Sequence, residues 1–206
     1  MKADFEDYLV DAKLHIDTVG RNDSYSTDHL YPYEPTSYPV LDRLIENGYI
    51  TGTDQVLDYG CGKGRVLIYL NHKLGCRTIG VELIDGFFND AVKNLVKFKK
   101  SARSAAEDDI SLVHLSAQTY DIPSTVNRFF FFNPFSIEVF KSVMKKVIES
   151  YYEKKRRMVL FFYYPQDEYI AYLSGMDEVM FVDEIDCTDL FPEKDDRNRI
   201  MIYELQ

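Results

Sequence analysis

Three glycines and two acidic residues have the spacing of a nucleoside-binding site. Gly60, Gly62 and Gly64 directly follow an apolar run that ends at Asp58 and Tyr59. Glycines in such a turn let the backbone bend sharply and let a ligand approach the main-chain amides. Glu82 lies about 20 residues beyond the loop, where a carboxylate can accept hydrogen bonds from both hydroxyls of a ribose. The pattern therefore predicts a site for an adenosine-like ligand.

Alternating strand and helix patterns surround this loop. Strands are predicted over residues 56–59, 77–83, 110–115, 128–132, 158–164, 179–185 and 200–205, with helices over 65–74, 86–100, 137–152 and 166–173. Such alternation indicates parallel strands joined by right-handed crossovers. The last two strands have no helix between them, which predicts an antiparallel pair. The expected fold is α/β, a doubly wound, seven-stranded, mostly parallel sheet with a C-terminal antiparallel hairpin and helices on both faces.

Residues 1–54 precede this pattern and form a separate N-terminal section. A helix is predicted over 5–16, a turn-rich stretch over 20–30, and a second helix over 40–47 that ends at Gly48. Between them, prolines forbid regular helix and aromatic residues suit a lid over a binding site. The candidate lid residues are Tyr31, Tyr33, Glu34, Thr36 and Tyr38. The alternative is a packed surface loop.

The overall charge argues against nucleic acid as a partner. The chain has 34 acidic and 24 basic residues and a formal net charge of -10, which opposes attraction to phosphates. The basic runs at 93–103 and 141–157 fall on predicted amphipathic helices, whose charges normally face solvent. A protein or a small molecule is therefore favoured as the partner.

Metal, export and membrane signals are missing from the sequence. Cys61, Cys76 and Cys187 are too few and too scattered for a disulfide framework or a zinc site. His29 and His114 have no metal-ligand spacing, so no metal is expected. The N-terminus lacks the apolar core of a signal peptide, and no stretch has the ~20 apolar residues that span a bilayer. We therefore expect a cytoplasmic protein that does not associate with membranes.

The stretch from Val56 to Arg65, VLDYGCGKGR, resembles the first motif of class I S-adenosylmethionine-dependent methyltransferases. Glu82 matches the second acidic position of that family, and its members also end in an antiparallel hairpin. The resemblance covers roughly residues 55–206. It implies a Rossmann-like methyltransferase domain over 55–206, with residues 1–54 as a helical or lid extension, and S-adenosylmethionine as the cofactor.

The resemblance also implies a set of cofactor-binding residues. These are Asp58, Tyr59, Gly60, Cys61, Gly62, Gly64, Glu82, Leu83, Ser116, Ala117, Gln118 and Asn133. Members of the family usually carry an acidic residue after the third strand, as a partner of the adenine amino group. Here Ser116 or Gln118 takes that place, unless the stretch is an ordinary loop.

Asn133, Pro134 and Phe135 follow the fourth predicted strand and are the candidate catalytic residues. They are similar to the Asp/Asn-Pro-Pro-Tyr/Phe motif of methyltransferases that act on amino nitrogens, with one of the two prolines absent. The similarity implies an amino-nitrogen acceptor on a protein or small molecule. The alternative is a turn in which Asn or Ser caps the following helix. Residues 33–36 are also similar to the loop before the core of non-SET histone-lysine methyltransferases.

Two other functions remain open at this point. A NAD-dependent oxidoreductase shares the glycine turn and the ribose-binding acid, but the final hairpin and the lack of a full GxGxxG pattern weigh against it. A non-catalytic nucleoside-binding module would keep the fold without turnover. A nucleoside triphosphatase is disfavoured because the loop lacks the GxxxxGKS/T spacing.

Overall fold

A computed structural model describes residues 2–25, 31–102 and 109–206, with only the backbone given for residues 2–5 and 102. Residues 26–30 of the predicted turn-rich stretch, which include His29, lie outside these ranges. The strands are β1 (Gln55–Tyr59), β2 (Arg77–Glu82), β3 (Ile110–His114), β4 (Arg128–Phe131), β5 (Val159–Tyr163), β6 (Val179–Asp186) and β7 (Arg199–Leu205). The helices are α1 (Lys2–Leu14), α2 (Tyr38–Glu46), α3 (Arg65–Leu74), α4 (Asp85–Ala102), α5 (Ile137–Glu153) and α6 (Asp167–Ser174).

The seven strands form one sheet in the order β3-β2-β1-β4-β5-β7-β6. Strands β1 to β5 pair in parallel, whereas β7 runs antiparallel to both β5 and β6. A register shift between Phe181 and Asp183 bends the outer strand β6. The predicted fold class is confirmed, including the C-terminal hairpin.

Helices cover both faces of the sheet because side chains alternate along each strand. On β1, Val56 belongs to the core on the α3 side, and Leu57 belongs to the core on the α5 side. Leu67 of α3 and Phe140 of α5 are fully buried in these two cores. The central strands therefore have apolar residues in succession, as expected of a sheet buried on both sides.

The N-terminal section packs into the same core as the sheet. Leu14, Ile16 and Leu41 share the hydrophobic cluster that contains Val56 of β1. Helix α2 begins at Tyr38, two residues before the predicted start, because Pro39 occupies the first turn, where its missing N–H is tolerated. No helix within the described ranges combines the length and apolar character needed to cross a bilayer.

Gly80 in β2 lets α3 and the glycine loop lie directly on the sheet. A Cβ at this position would be 2.6 Å from the Sγ of Cys61 and closer still to Leu67. Both distances are below those of normal atomic contacts. The close approach of strand and helix thus requires glycine.

Replacing Gly80 with alanine should lower the free energy of unfolding by about 1–3 kcal/mol, the usual cost of overpacking a core. Gly175→Ala is the matched control, because its Cβ would meet the carbonyl oxygen of Tyr172 at an ordinary 3.5 Å. We expect the control to stay within about 0.5 kcal/mol of the wild type. Denaturant unfolding measures both variants, and equal stability of the two would contradict the packing argument.

Candidate functional site

The glycine loop connects β1 to α3 in a conformation that side chains disfavour. Gly60, Gly62 and Gly64 have φ angles of 72°, 54° and 84°, in the left-handed region that only glycine enters freely. The amides of Gly60 and Cys61 donate to the carbonyl of Val81 at 2.9 and 3.2 Å, which ties the loop to β2. The loop therefore has the sharp strand-to-helix turn predicted from the sequence.

A cavity of about 370 Å³ opens at the carboxyl ends of the parallel strands, beside this loop. Its size is that of a pocket for a small molecule or cofactor. The cavity brings together most of the predicted site residues: Tyr31, Tyr33, Glu34, Thr36, Asp58, Gly60, Cys61, Gly62, Glu82, Leu83, Ser116, Ala117, Gln118, Asn133, Pro134 and Phe135.

Three of the predicted site residues lie outside the cavity lining. Tyr59 is buried in the sheet, with its ring stacked 5.3 Å from that of Phe131. Gly64 forms the N-terminal cap of α3. Tyr38 starts α2 and is buried, and its hydroxyl donates to the carboxylate of Asp11. Each of the three lies next to a lining residue: Tyr59 and Gly64 precede Gly60 and Arg65 in sequence, and the ring of Tyr38 packs against Arg65.

Other lining residues were not predicted: Tyr25, Pro32, Pro35, Arg65, Val66, Val81, Ile84, Phe87, Leu115, Phe130, Phe132 and Val139. Most are sequence neighbours of predicted residues. Phe87 lies in the first turn of α4, which begins shortly after Leu83. Tyr25 contacts Phe87 edge-on with ring centroids 5.2 Å apart, and no local sequence signal predicts that contact.

Glu82 joins the glycine loop to the start of α4. Its side chain is buried, with Oε2 accepting from the amide of Gly62 at 2.9 Å and Oε1 accepting from the amide of Ile84 at 2.8 Å. Burial raises the pKa of Glu82, and the two backbone amides oppose that rise. Each carboxylate oxygen keeps acceptor capacity for a ligand hydroxyl. Glu82 is therefore suited to hold a ribose while it orders the loop.

Asp58 is a second buried carboxylate in the cavity wall. Burial, and after it the negative charge of Glu82, raise the pKa of Asp58 to about 8. No lysine or arginine of the described residues contributes an opposing effect on this group. A cationic ligand would favour the ionised form of this carboxylate. The pair of acids thus fits a ligand that carries both hydroxyls and an ammonium group.

Asn133 has a strained backbone and an unpaired acceptor. Its φ is 39°, and that of Tyr164, at the end of the neighbouring strand β5, is 50°. The Nδ2 of Asn133 donates to the carbonyl of Tyr164, whereas its Oδ1 is buried without a hydrogen-bond partner among the described residues. Such an acceptor is costly unless a ligand donates to it. Helix α5 has Ser136 at its N-cap position, so Asn133 is not its cap.

The site contains no recognisable metal centre within the ranges that the structure describes. No group of three or more histidine, cysteine, aspartate or glutamate side chains in those ranges could hold a metal ion. The polar side chains of the lining include the carboxylates of Asp58 and Glu82, the amides of Gln118 and Asn133, the hydroxyl of Ser116 and the guanidinium of Arg65. Their arrangement is suited to binding and aligning an organic cofactor.

Comparison with known proteins gives partial matches to two curated methyltransferases. The chain is 38% identical over 77 residues to a Dictyostelium discoideum histone-lysine N-methyltransferase specific for H3 lysine 79, covering 37% of this chain and 4% of that protein. It is 32% identical over 75 residues to a protein-lysine N-methyltransferase of Saccharolobus islandicus, covering 36% and 47%. The chain thus matches less than half the length of either relative. No family model matches the chain.

Solved structures extend the comparison over the whole fold. An RNA methyltransferase from Salinibacter ruber in complex with S-adenosyl-L-homocysteine has a TM-score of 0.51 and 21% identity, covering 84% of this chain and 92% of that chain. The human methyltransferase 10 domain containing protein has a TM-score of 0.61 and 13% identity, covering 99% and 95%. With its 3-2-1-4-5-7-6 strand order, the chain has the Rossmann-like fold of the class I S-adenosylmethionine-dependent methyltransferases, as its sequence motifs predict.

Proposed function

We propose that this protein is an S-adenosylmethionine-dependent methyltransferase. The observation that carries the proposal is the pair of buried carboxylates, Asp58 and Glu82, beside the glycine loop at the strand ends. The partial sequence matches to two lysine methyltransferases support the same activity. Neighbours of the same fold are crystallised with S-adenosylhomocysteine, the product form of this cofactor.

The cavity residues fit the parts of the cofactor one by one. The Asp58 carboxylate suits the ammonium of the methionine portion, and Glu82 suits the ribose hydroxyls. Residues 83–84 and 115–118 form the remaining wall, where apolar side chains and the Ser116 and Gln118 groups suit an adenine. When bound, the cofactor supplies an activated methyl group on a sulfonium. The chain has only to hold the acceptor in line with it.

Asn133 is the proposed acceptor-binding group. Its Oδ1 is unpaired and its amide is held by the carbonyl of Tyr164, so the oxygen can accept a hydrogen bond from an amine in the cavity. Pro134 fixes this turn against the glycine loop, since a Cβ on Gly60 would be 2.6 Å from its own Cβ. Phe135 contributes an aromatic wall. This set favours methylation of an amino nitrogen.

The acceptor is proposed to be a protein or a small molecule. The named activity of both curated relatives is on protein lysine, and the net charge of -10 opposes binding to nucleic acid.

We further propose that the protein acts in the cytoplasm, because Cys61, Cys76 and Cys187 are all free thiols. The N-terminal section, residues 1–54, is proposed as the lid extension of the 55–206 domain.

The first test compares S-adenosylhomocysteine with NADH in thermal unfolding. A ligand that binds only the folded protein stabilises it by about 2.7 kcal/mol at 100 times its dissociation constant. We expect S-adenosylhomocysteine to raise the melting temperature and NADH to leave it unchanged. A shift with NADH alone would identify a nicotinamide site and overturn the methyltransferase assignment.

The raised pKa of Asp58 predicts proton release on cofactor binding. Between about pH 5 and pH 8 the free protein holds a proton on this carboxylate, and a bound ammonium displaces it. Affinity for S-adenosylhomocysteine should therefore increase as the pH rises towards 8. Calorimetry at pH 7 in buffers of different ionisation enthalpy measures the released proton. Asp58→Asn should abolish the release, and a wild-type protein without it would contradict the assignment.

The raised pKa of Asp58 can also be tested without ligand, from the pH dependence of the unfolding free energy. The folded protein binds the Asp58 proton with a pKa of about 8, and the unfolded chain with one of about 4. The stability due to that proton is complete below pH 4 and is lost as the pH rises to 8. Across this window, the unfolding free energy of the wild type should fall relative to that of Asp58→Asn. A constant difference would argue against the raised pKa.

Asn133→Ala should impair catalysis more than cofactor binding. Loss of acceptor alignment lowers rates by roughly 100-fold or more, while affinity for S-adenosylhomocysteine should stay close to that of the wild type. The measurement is transfer of labelled methyl groups from the cofactor into a fractionated cell extract. Asn47→Ala is the control, because Asn47 bonds only the Arg43 carbonyl at the end of α2 through its side chain. Normal turnover of Asn133→Ala would remove this residue from the catalytic set.

A further inference from the structure

One aromatic ring places residues 31–38 over the glycine loop. Tyr33 lies against Gly62 so closely that a Cβ on that glycine would be 2.6 Å from the ring atom Cδ2 and closer still to Cε2. The ring also packs 4.9 Å from that of Phe87, and its hydroxyl donates to the carbonyl of Thr18 at 2.6 Å. We call residues 31–38 the cover segment. Its contact with the loop depends on where the N-terminal section holds Tyr33.

Arg65 holds that section from the core side. It is the first residue of α3 and is buried, with a side-chain exposure of 2%. Its Nε donates to the Oγ1 of Thr18 at 2.6 Å, and its Nη1 donates to the carbonyl of Thr36 at 3.1 Å. Nη1 also forms an ion pair with Asp7, and Nη2 lies 3.7 Å from the carboxylate of Asp11. One guanidinium therefore contacts four points of the N-terminal section.

The charges around Arg65 make this contact hard to replace. Asp7 and Asp11 are both buried and share this single guanidinium. They in turn bind the end of the cover segment, since Asp7 accepts from the amide of Tyr38 at 3.1 Å and Asp11 from its hydroxyl. Without Arg65 the two carboxylates would be uncompensated, which is strongly destabilising. A lysine keeps the charge but lacks the planar fork of donors.

We propose that Arg65 is a positioning residue for the cofactor site: it docks the cover segment on the glycine loop, so that docking and cofactor binding stabilise each other. The inference rests on the proposed function. Arg65 follows the glycine loop directly in sequence. The position of its guanidinium, which contacts the cover segment, is therefore linked to the position of the loop backbone. Because coupling between two such events is reciprocal, a bound cofactor must also protect the cover segment.

Arg65→Lys is the test variant, and Arg128→Lys is the matched control. Arg128 is also buried and pairs with Asp54 at 3.0 Å, and it donates to the carbonyl of Tyr49 at 2.7 Å. It lies at the opposite end of the sheet, where β4 begins. Thr18→Val is a milder variant that removes no charge: it removes the hydroxyl that accepts from the Arg65 Nε and donates to Asp11. Each protein is examined by calorimetry with S-adenosylhomocysteine and by amide hydrogen exchange.

We expect Arg65→Lys to weaken S-adenosylhomocysteine binding roughly tenfold or more, Thr18→Val to weaken it less, and Arg128→Lys to leave it within about twofold. Without ligand, exchange at the Tyr33 and Tyr38 amides should accelerate in Arg65→Lys, accelerate less in Thr18→Val, and stay unchanged in Arg128→Lys. In the wild type, ligand should slow both amides. Wild-type affinity and exchange in folded Arg65→Lys, or equal losses in Arg128→Lys, would overturn the proposal. Failure of the wild type to bind would instead overturn the proposed function, and the ligand-free exchange would still test the role of Arg65 in docking.

Discussion

The carboxylate of Glu82 is the contact on which the geometry of the cavity depends. It accepts one hydrogen bond from the loop after β1 and one from the turn after β2, so two adjacent strand ends are held at a fixed separation. A parallel sheet brings such ends together, but it does not determine the path of the loops beyond them. The side chain that is suited to bind a ribose also builds the place where the ribose would lie. The proposed ribose contact and the order of the two loops therefore depend on the same carboxylate.

Around this contact the protein places acidic side chains in a dry environment. Asp58 lies next to Glu82 with no lysine or arginine of the described residues to offset them, and burial, followed by the charge of Glu82, raises the pKa of Asp58. On the other side of the glycine loop, Asp7 and Asp11 share Arg65. Asp58 and Glu82 have no lysine or arginine partner among the described residues, whereas Asp7 and Asp11 have Arg65. The first pair is therefore available to a cationic ligand, and the second pair is part of the supporting structure.

Much of this arrangement could be predicted from local sequence patterns. Side-chain periodicity identified the seven strands, and the glycine spacing together with Glu82 identified the cavity wall. Residues 116–118 and 133–135 follow the third and fourth strands and were implied by the resemblance to the methyltransferase family, and the structure places all of them in the lining. Helix α2 starts two residues before its predicted start, because Pro39 is tolerated in the first turn of the helix.

The remainder depends on contacts that no local pattern encodes. Arg65 and Asp7 are 58 residues apart in sequence, and Tyr25 meets Phe87 only in the folded chain. Tyr38 was assigned to the lid with its neighbours, but no local pattern indicates that the Arg65 guanidinium lies 4.4 Å from the centre of its ring. Long-range pairs of this kind need the tertiary structure, since polar residues alone do not reveal their partners.

The left-handed backbone conformations of Asn133 and Tyr164 limit how far the stability of this protein can be raised without a loss of activity. Each non-glycine residue in that region costs free energy that the surrounding fold must offset. Glycine at position 133 would relieve the cost there, but it would also remove the side-chain amide whose Oδ1 has no hydrogen-bond partner among the described residues. Selection for thermal tolerance alone would therefore favour changes that erode the site, a trade-off between stability and activity built into two adjacent strand ends.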